Sequence, residues 1–355
     1  RSNNDVAQIR AGADLFGIIP GGEYHVKAYY NRSERGTPGP VSYPSDDRQK
    51  DMNSFLQGVL EKAFSQLYTL HVSAKGSFDD IFYSSSWGDS RYGQTEFQLN
   101  TAHDFQIKEW WKLTFAADAM FDRLRSDMYE ASRITAISAV ASSIRTDRLM
   151  ANVALEYEGA FDMNGLSRNA FSPSADLRFT AFKGLDIVAF GRRAYRIPTF
   201  NELYYVGYGN PDLRAEDAWL TDIGIDFHRT SPSGWAFVTK ADAFLNLLKN
   251  KITSAPTKED PAIWAPYNIG KVRSAGMDLL VGMSYESGFL KASADARYTY
   301  QSAVDKTPDS YTFGQQIPYI ARHTMIVSAS LEWRGWRLDP VWQLRSGRSD
   351  GTGER

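Results

Sequence analysis

Residues 195–228 read YRIPTFNELYYVGYGNPDLRAEDAWLTDIGIDFH. The two halves follow different rules. In Trp219–His228 the apolar residues recur at every second position: Trp219, Thr221, Ile223, Ile225 and Phe227 share one face. Leu220, Asp222, Gly224, Asp226 and His228 share the other. A period of two with one apolar and one polar face predicts a strand that is wet on one side only. The first half, Tyr195–Glu216, is dense in aromatics, Asn, Gly and Pro, which is turn and loop chemistry. The stretch therefore reads as a long loop feeding a strand.

The same alternation recurs outward from it, in Lys112–Asp122, Leu149–Glu158 and Met325–Arg334. The best helical candidate, Ala131–Ile144, falls inside an expected loop. Short connections are expected at Gly17–Gly22, Ala63–Gln66, Lys183–Gly184, Ser231–Gly234, Ser287–Gly288 and Arg334–Gly335. Long ones are expected at Arg32–Lys50, Asp79–Tyr92, Arg125–Asp147, Arg196–Glu216, Leu248–Tyr267 and Gln301–Ala321. Short and long take turns, so the long loops gather at one end. That is the plan of an outer-membrane barrel, with short turns on the periplasmic side and long loops outside.

Composition agrees. The 355 residues include 20 Phe, 19 Tyr and 9 Trp, yet mean hydropathy is only −0.42. No window approaches the ~18 apolar residues of a spanning helix. A barrel strand hides its apolar face in the average. Trp110, Trp111, Trp235, Phe289, Trp333 and Trp336 fall beside expected short turns, and Trp219 and Trp342 nearer the other end. Aromatics at strand ends match the girdles of a membrane barrel. The fold class expected is all-β: a transmembrane antiparallel barrel of about 16 strands, Phe161–Ser172 being the hardest region to assign.

With a net charge of −2 the chain carries no basic excess that would suit nucleic acid. Cysteine is absent, which excludes disulfides and thiolate chemistry. The chain opens at Arg1 without a leader pattern and ends in GTGER. Both this and the unpaired edge strands predict a piece of a longer polypeptide.

No catalytic set, metal site or cofactor motif emerges. The five His are dispersed, none at HxH or HxxxH spacing, and read as lumen- or interface-facing. Binding candidates are the loop aromatics Phe200, Tyr204, Tyr205 and Tyr208, with Asn210, and the exposed-loop residues Trp87 and Trp264. Tyr and Trp offer rigid contact area with a polar tip. The competing reading is that the same rings pin the loop to neighbouring strands.

YRIPTFNELYY followed by GNPDLRAE resembles the late-barrel motif of TonB-dependent outer-membrane receptors, with Ala215 where the family has Pro. NKITSAP, WAPYNIGKVRSAGMD and QIPYIARHT resemble later segments, RGTPGPVSYPSDDRQKD and FSPSADLRF earlier ones. The resemblance implies a 22-stranded barrel around an N-terminal plug, with residues 1–355 covering part of the barrel. Plug, first strands and closing strand would lie outside it. It implies active uptake of a scarce, large nutrient rather than catalysis. The partners implied are the nutrient, the lipid bilayer and the inner-membrane TonB complex acting through the plug. A surface lipoprotein is a further partner open to such a receptor.

The NELYY and NIGK wording is most similar to the cobalamin receptors. Ferric siderophore receptors share the plan, and Thr199–Gly209 lacks the His typical of haem uptake. A passive porin-like barrel and a soluble β-rich binding protein remain as alternatives of other classes.

Overall fold

The computed structural model describes residues 3–348 other than 164, 258–259, 261–262 and 309–312. The GTGER tail lies outside the described residues. Among the described residues seventeen strands form one sheet: β1 (Val6–Ile19), β2 (Gly22–Thr37), β3 (Asp47–Ser65), β4 (Tyr68–Ser85), β5 (Gly88–Lys108) and β6 (Trp111–Ser126) come first. β7 (Glu130–Arg145), β8 (Leu149–Asp162), β9 (Ser167–Phe182), β10 (Leu185–Arg196), β11 (Glu216–Thr230) and β12 (Trp235–Pro256) follow. β13 (Trp264–Ser287), β14 (Leu290–Asp305), β15 (His323–Trp333), β16 (Trp336–Leu338) and β17 (Val341–Arg345) complete it. One helical turn, α1 (Phe200–Tyr204), lies between β10 and β11.

From β1 to β15 each strand pairs antiparallel with the next in sequence, as in Ile187↔Ile225 and Met277↔Tyr300. β16 and β17 both pair with β15, one beyond the other. They are a single stave interrupted at Pro340, which has no N–H to give to a ladder. The meander therefore has sixteen staves, as the alternation predicts. Among the described residues no pairing joins β1 to β17.

The two faces of the sheet differ in chemistry. One carries Leu56, Phe97, Leu99, Phe115, Val153, Leu155, Phe171, Ile223, Leu247 and Val281, all exposed. A soluble surface does not hold an apolar belt of that extent, whereas a lipid-facing one requires it. The opposite face carries polar ladders. Asn31 donates to Asn53 at 3.0 Å, and Asn53 to Asp79 at 2.6 Å. Arg178 bridges Asp186 at 2.7 Å and Asp226 at 3.0 Å. Such cross-strand pairs suit a hydrated interior. The tight turns at one end are ringed by aromatics: Trp110 against Trp111, Phe64 against Tyr68, and Trp235 against Tyr285 at 4.8 Å between centroids. At Arg334–Gly335 both residues have positive φ (49° and 88°), the type I′ geometry that matches strand twist.

Two expected loops are not loops. Arg125–Asp147 contains strand β7, which pairs along its whole length with β6 and β8. The sequence there, ASRITAISAVASSI, is rich in Ala and Ser on both faces and puts Ile137 among the inward residues, so the contrast between faces is weak. Its helical appearance is a matter of propensity that neighbouring strands override. Asp79–Tyr92 is a tight hairpin in which Ser85 pairs with Gly88. The added strand also settles Phe161–Ser172 as the end of β8, a turn and the start of β9. The extended connections of the open end are then four, between β2 and β3, β10 and β11, β12 and β13, and β14 and β15.

Candidate functional site

Among the described residues a buried apolar cluster forms where the loop between β10 and β11 meets β12. Leu203 is 0% exposed, Leu213 3% and Ile252 9%, and Tyr204 packs against the three. The rest of the sheet needs no such core because lipid and water cover its faces.

Local sequence builds the loop. Pro198 fixes the approach, and Thr199 caps α1: its hydroxyl accepts from the Glu202 N–H at 3.2 Å. The Glu202 carboxylate accepts from the Thr199 N–H at 2.8 Å, completing a capping box. Glu202 also takes Arg196 at 3.0 Å, and Arg196 takes Glu216 at 2.8 Å. Arg196 and Glu216 are the last paired residues of β10 and β11, so the loop is clamped at its base. Burial works to raise the Glu202 pKa, but the Arg196 guanidinium and the Thr199 amide outweigh it and hold the carboxyl below its ordinary value. Gly209 closes the turn behind α1, where a Cβ would meet the Tyr205 nitrogen at 2.6 Å.

Long-range side chains then fix the loop on the polar face. Asp162, at the end of β8, has a side chain only 2% exposed. It receives Arg133 from β7, Arg168 from β9 and the Tyr204 hydroxyl at 2.9 Å. Arg133 donates onward to the Pro198 carbonyl at 3.1 Å and lies 4.9 Å over the Phe200 ring. Arg168 donates to the Leu213 carbonyl at 3.2 Å. Burial, then the bond to Asp162, push the Tyr204 hydroxyl up to about 12. On the other side Asn268 of β13 accepts from the Arg214 N–H at 2.7 Å and donates to the carbonyls of Arg214 and Asn250. Asn210 donates to the Pro266 carbonyl at 3.0 Å and accepts from the Asp212 N–H at 3.0 Å.

What remains for a ligand is a patch of rings. Tyr205 lies 6.4 Å from Tyr208 and 6.3 Å from Tyr129 of the β6–β7 turn, and Phe200 lies 6.4 Å from Tyr204. The Tyr129 hydroxyl donates to Asn201, and Tyr208 and Ser254 share a hydrogen bond. Tyr92 of β5 lies beside Tyr205. The patch thus draws on β5, the β6–β7 turn, the loop and β12, all at the end opposite the tight turns.

The sequence candidates divide. Phe200, Tyr204, Tyr205 and Tyr208 come together. Tyr204 and Asn210 spend their polar groups on the protein and act as pins. Trp87, 89% exposed at the β4–β5 turn, and Trp264, 54% exposed at the start of β13, make no ring contact with the patch among the described residues. Sequence reasoning missed Tyr92, Tyr129, Arg133, Asp162, Arg168 and Asn268. Arg133 and Tyr129 were hidden by reading Arg125–Asp147 as a loop. Asn268 stands in the NIGK segment and was visible there as a motif without a role.

Residues 21–355 match the family model described as TonB dependent receptor-like, beta-barrel. A curated relative, the vitamin B12 transporter BtuB of Vibrio vulnificus (strain YJ016), is 28% identical over 128 residues, which cover 36% of this chain and 19% of the relative. Among solved structures, the FrpB iron transporter from Neisseria meningitidis (F3-3 variant) superposes with a TM-score of 0.69 at 14% identity, over 95% of this chain and 59% of its own. The copper transporter OprC superposes with a TM-score of 0.73 at 15% identity, over 98% of this chain and 60% of its own. The chain thus spans about three-fifths of the length of these structures.

Proposed function

The chain belongs to the TonB-dependent receptor β-barrel family, a family of the transporter and receptor type, and from that premise we propose that it serves active uptake of a scarce, large nutrient across the outer membrane, where it resides. The cargo we propose is cobalamin or a related corrinoid. The observation that carries the reading is the ring patch of Phe200, Tyr205, Tyr208 and Tyr129, held ready on the Asp162–Arg133–Arg168 clamp at the open end of the barrel. An aromatic surface on a loop pinned by buried ion pairs and backbone hydrogen bonds binds at low entropic cost. The corrinoid choice draws on the BtuB relative and on the wording of NELYY and NIGK.

No bond is made or broken in this reading. Cargo settles on the open end, and energy coupling falls to a plug domain and the inner-membrane TonB complex, proposed here as parts outside these residues. A surface lipoprotein partner remains an expectation of the same kind. A ferric siderophore is the second reading, favoured by the fold likeness to an iron transporter. Uptake of labelled cyanocobalamin and of labelled ferric siderophores, in cells with and without a functional TonB, tests it. TonB-dependent accumulation of cyanocobalamin is expected; accumulation of the iron chelate instead moves the cargo to the second reading. Equal uptake of either without TonB overturns active transport.

A further inference from the structure

The lipid-facing side carries an unbalanced group of cations at one place. On β12 the outward residues above Trp235 are Phe237, Thr239, Ala241, Ala243, Leu245 and Leu247, and then Lys249. On β13 they are Met283, Val281, Leu279, Met277 and Ala275 above Tyr285, and then Arg273 and Lys271. At ~3.4 Å per residue and a tilt near ~40°, these charges stand roughly 31–36 Å above the Trp235–Tyr285 girdle. That is the headgroup layer of the outer leaflet, beyond an apolar band of ~25–30 Å.

Register brings the charges together. Lys249 is directly opposite Lys271, and Leu247 opposite Arg273. Like charges paired across strands destabilise a sheet unless an anion lies between them. Among the described residues the acid opposite Lys249 on this face is Asp217, and Arg193 holds its two oxygens at 2.9 Å each. Four cations therefore face one anion, and Lys249, Lys271 and Arg273 form no ion pair among the described residues. Several other cations of the outward rim are matched to acids. Arg48 pairs with Asp5 and Glu34, Arg91 with Asp80, and Arg123 and Arg125 share Glu130.

Below the cluster runs an open apolar trough of about 560 Å³. Ala241 and Ala243 form its floor, with Ile223 and Ile225 on one wall and Met277 and Leu279 on the other. Small residues between large ones leave room for a hydrocarbon chain.

We propose that Lys249, Lys271 and Arg273 bind the phosphate-bearing headgroup of an outer-leaflet lipid whose acyl chain lies in the Ala241–Ala243 trough. The proposal rests on the outer-membrane placement and is independent of the cargo. The cations complete their electrostatics with the lipid phosphate, and the lipid seals the seam between β12 and β13.

The test uses the full-length receptor in mild detergent, with diphosphoryl lipid A, phosphatidylcholine and inorganic phosphate as probes and native mass spectrometry as readout. Wild type is expected to retain lipid A and not phosphatidylcholine. The combined Lys249→Gln, Lys271→Gln, Arg273→Gln variant should lose retention at least about tenfold. Lys249→Arg with Lys271→Arg should keep it, which separates loss of charge from loss of fold. Ala243→Phe, which fills the trough, should lower lipid A retention with all three cations in place. Equal retention by wild type and the Gln variant overturns the site. Displacement of lipid A by equimolar inorganic phosphate overturns a lipid as its occupant.

Discussion

Two connections at the same end of the barrel carry aromatics, and they are built in opposite ways. The β4–β5 turn presents Trp87 at its tip, and among the described residues the side-chain bonds of the turn itself are local: the Ser85 hydroxyl accepts from the Trp87 N–H at 3.2 Å. The loop between β10 and β11 is tied to β7, β8, β9, β12 and β13 by side chains from tens of residues away. An aromatic on the first is free to move with its turn. An aromatic on the second sits on a fixed platform. The difference separates rings held on a fixed platform from rings that merely project, although the two look alike as sequence.

Removing the platform should give the largest effect. Asp162→Ala leaves Arg133 and Arg168 as buried, unpaired charges, which costs about 3–5 kcal/mol. Hydrogen exchange across residues 197–215 should then lose its protection while that of the β4–β5 hairpin stays unchanged. Asn268→Ala comes next. It removes three bonds to backbone groups and should cost about 1–3 kcal/mol, read as faster exchange at Arg214 and its neighbours. Tyr208→Ala should weaken cargo binding by about tenfold with the barrel melting unaltered, the loss of one interfacial ring. Trp87→Ala should change stability by less than about 0.5 kcal/mol in the same melting assay. If Trp87→Ala instead matched Asp162→Ala in its effect on residues 197–215, the contrast between the two connections would collapse.

The smallest effect expected is that of pH. The Glu202 carboxyl is held below its ordinary value of 4.5, so its stabilisation of the loop is complete above that pH. It fades only as pH falls through the lower folded value. Exchange protection of residues 197–215 should therefore be flat from pH 7 to 5 and drop below about pH 4.

The alternation of Trp219–His228 and Met325–Arg334 revealed the strands because one face meets lipid and the other water, and the residues record it directly. β7 escaped the same reading because Ala and Ser carry little preference between those faces. The hairpin around Trp87 escaped because YSSSWGDSRYG is polar throughout, as suits a strand end above the membrane. At the site, the rings of Phe200, Tyr205 and Tyr208 were visible as a loop rich in aromatics. Their supports were not. Asp162 lies 42 residues from Tyr204, and Asn268 54 from Arg214, and only the register of the intervening staves, β9 and β10 in the first case and β11 and β12 in the second, brings them together. Asn210 is legible as a candidate, and its amide donates to the Pro266 carbonyl and accepts from the Asp212 N–H.

The most direct test of a prebuilt aromatic platform for a corrinoid is the equilibrium binding of cyanocobalamin to the full-length receptor, wild type beside Tyr205→Ala with Tyr208→Ala. Binding at micromolar concentration or tighter, weakened at least about tenfold in the double variant, is the predicted result. Binding of equal strength in both proteins, or none by wild type at micromolar cyanocobalamin, would contradict it.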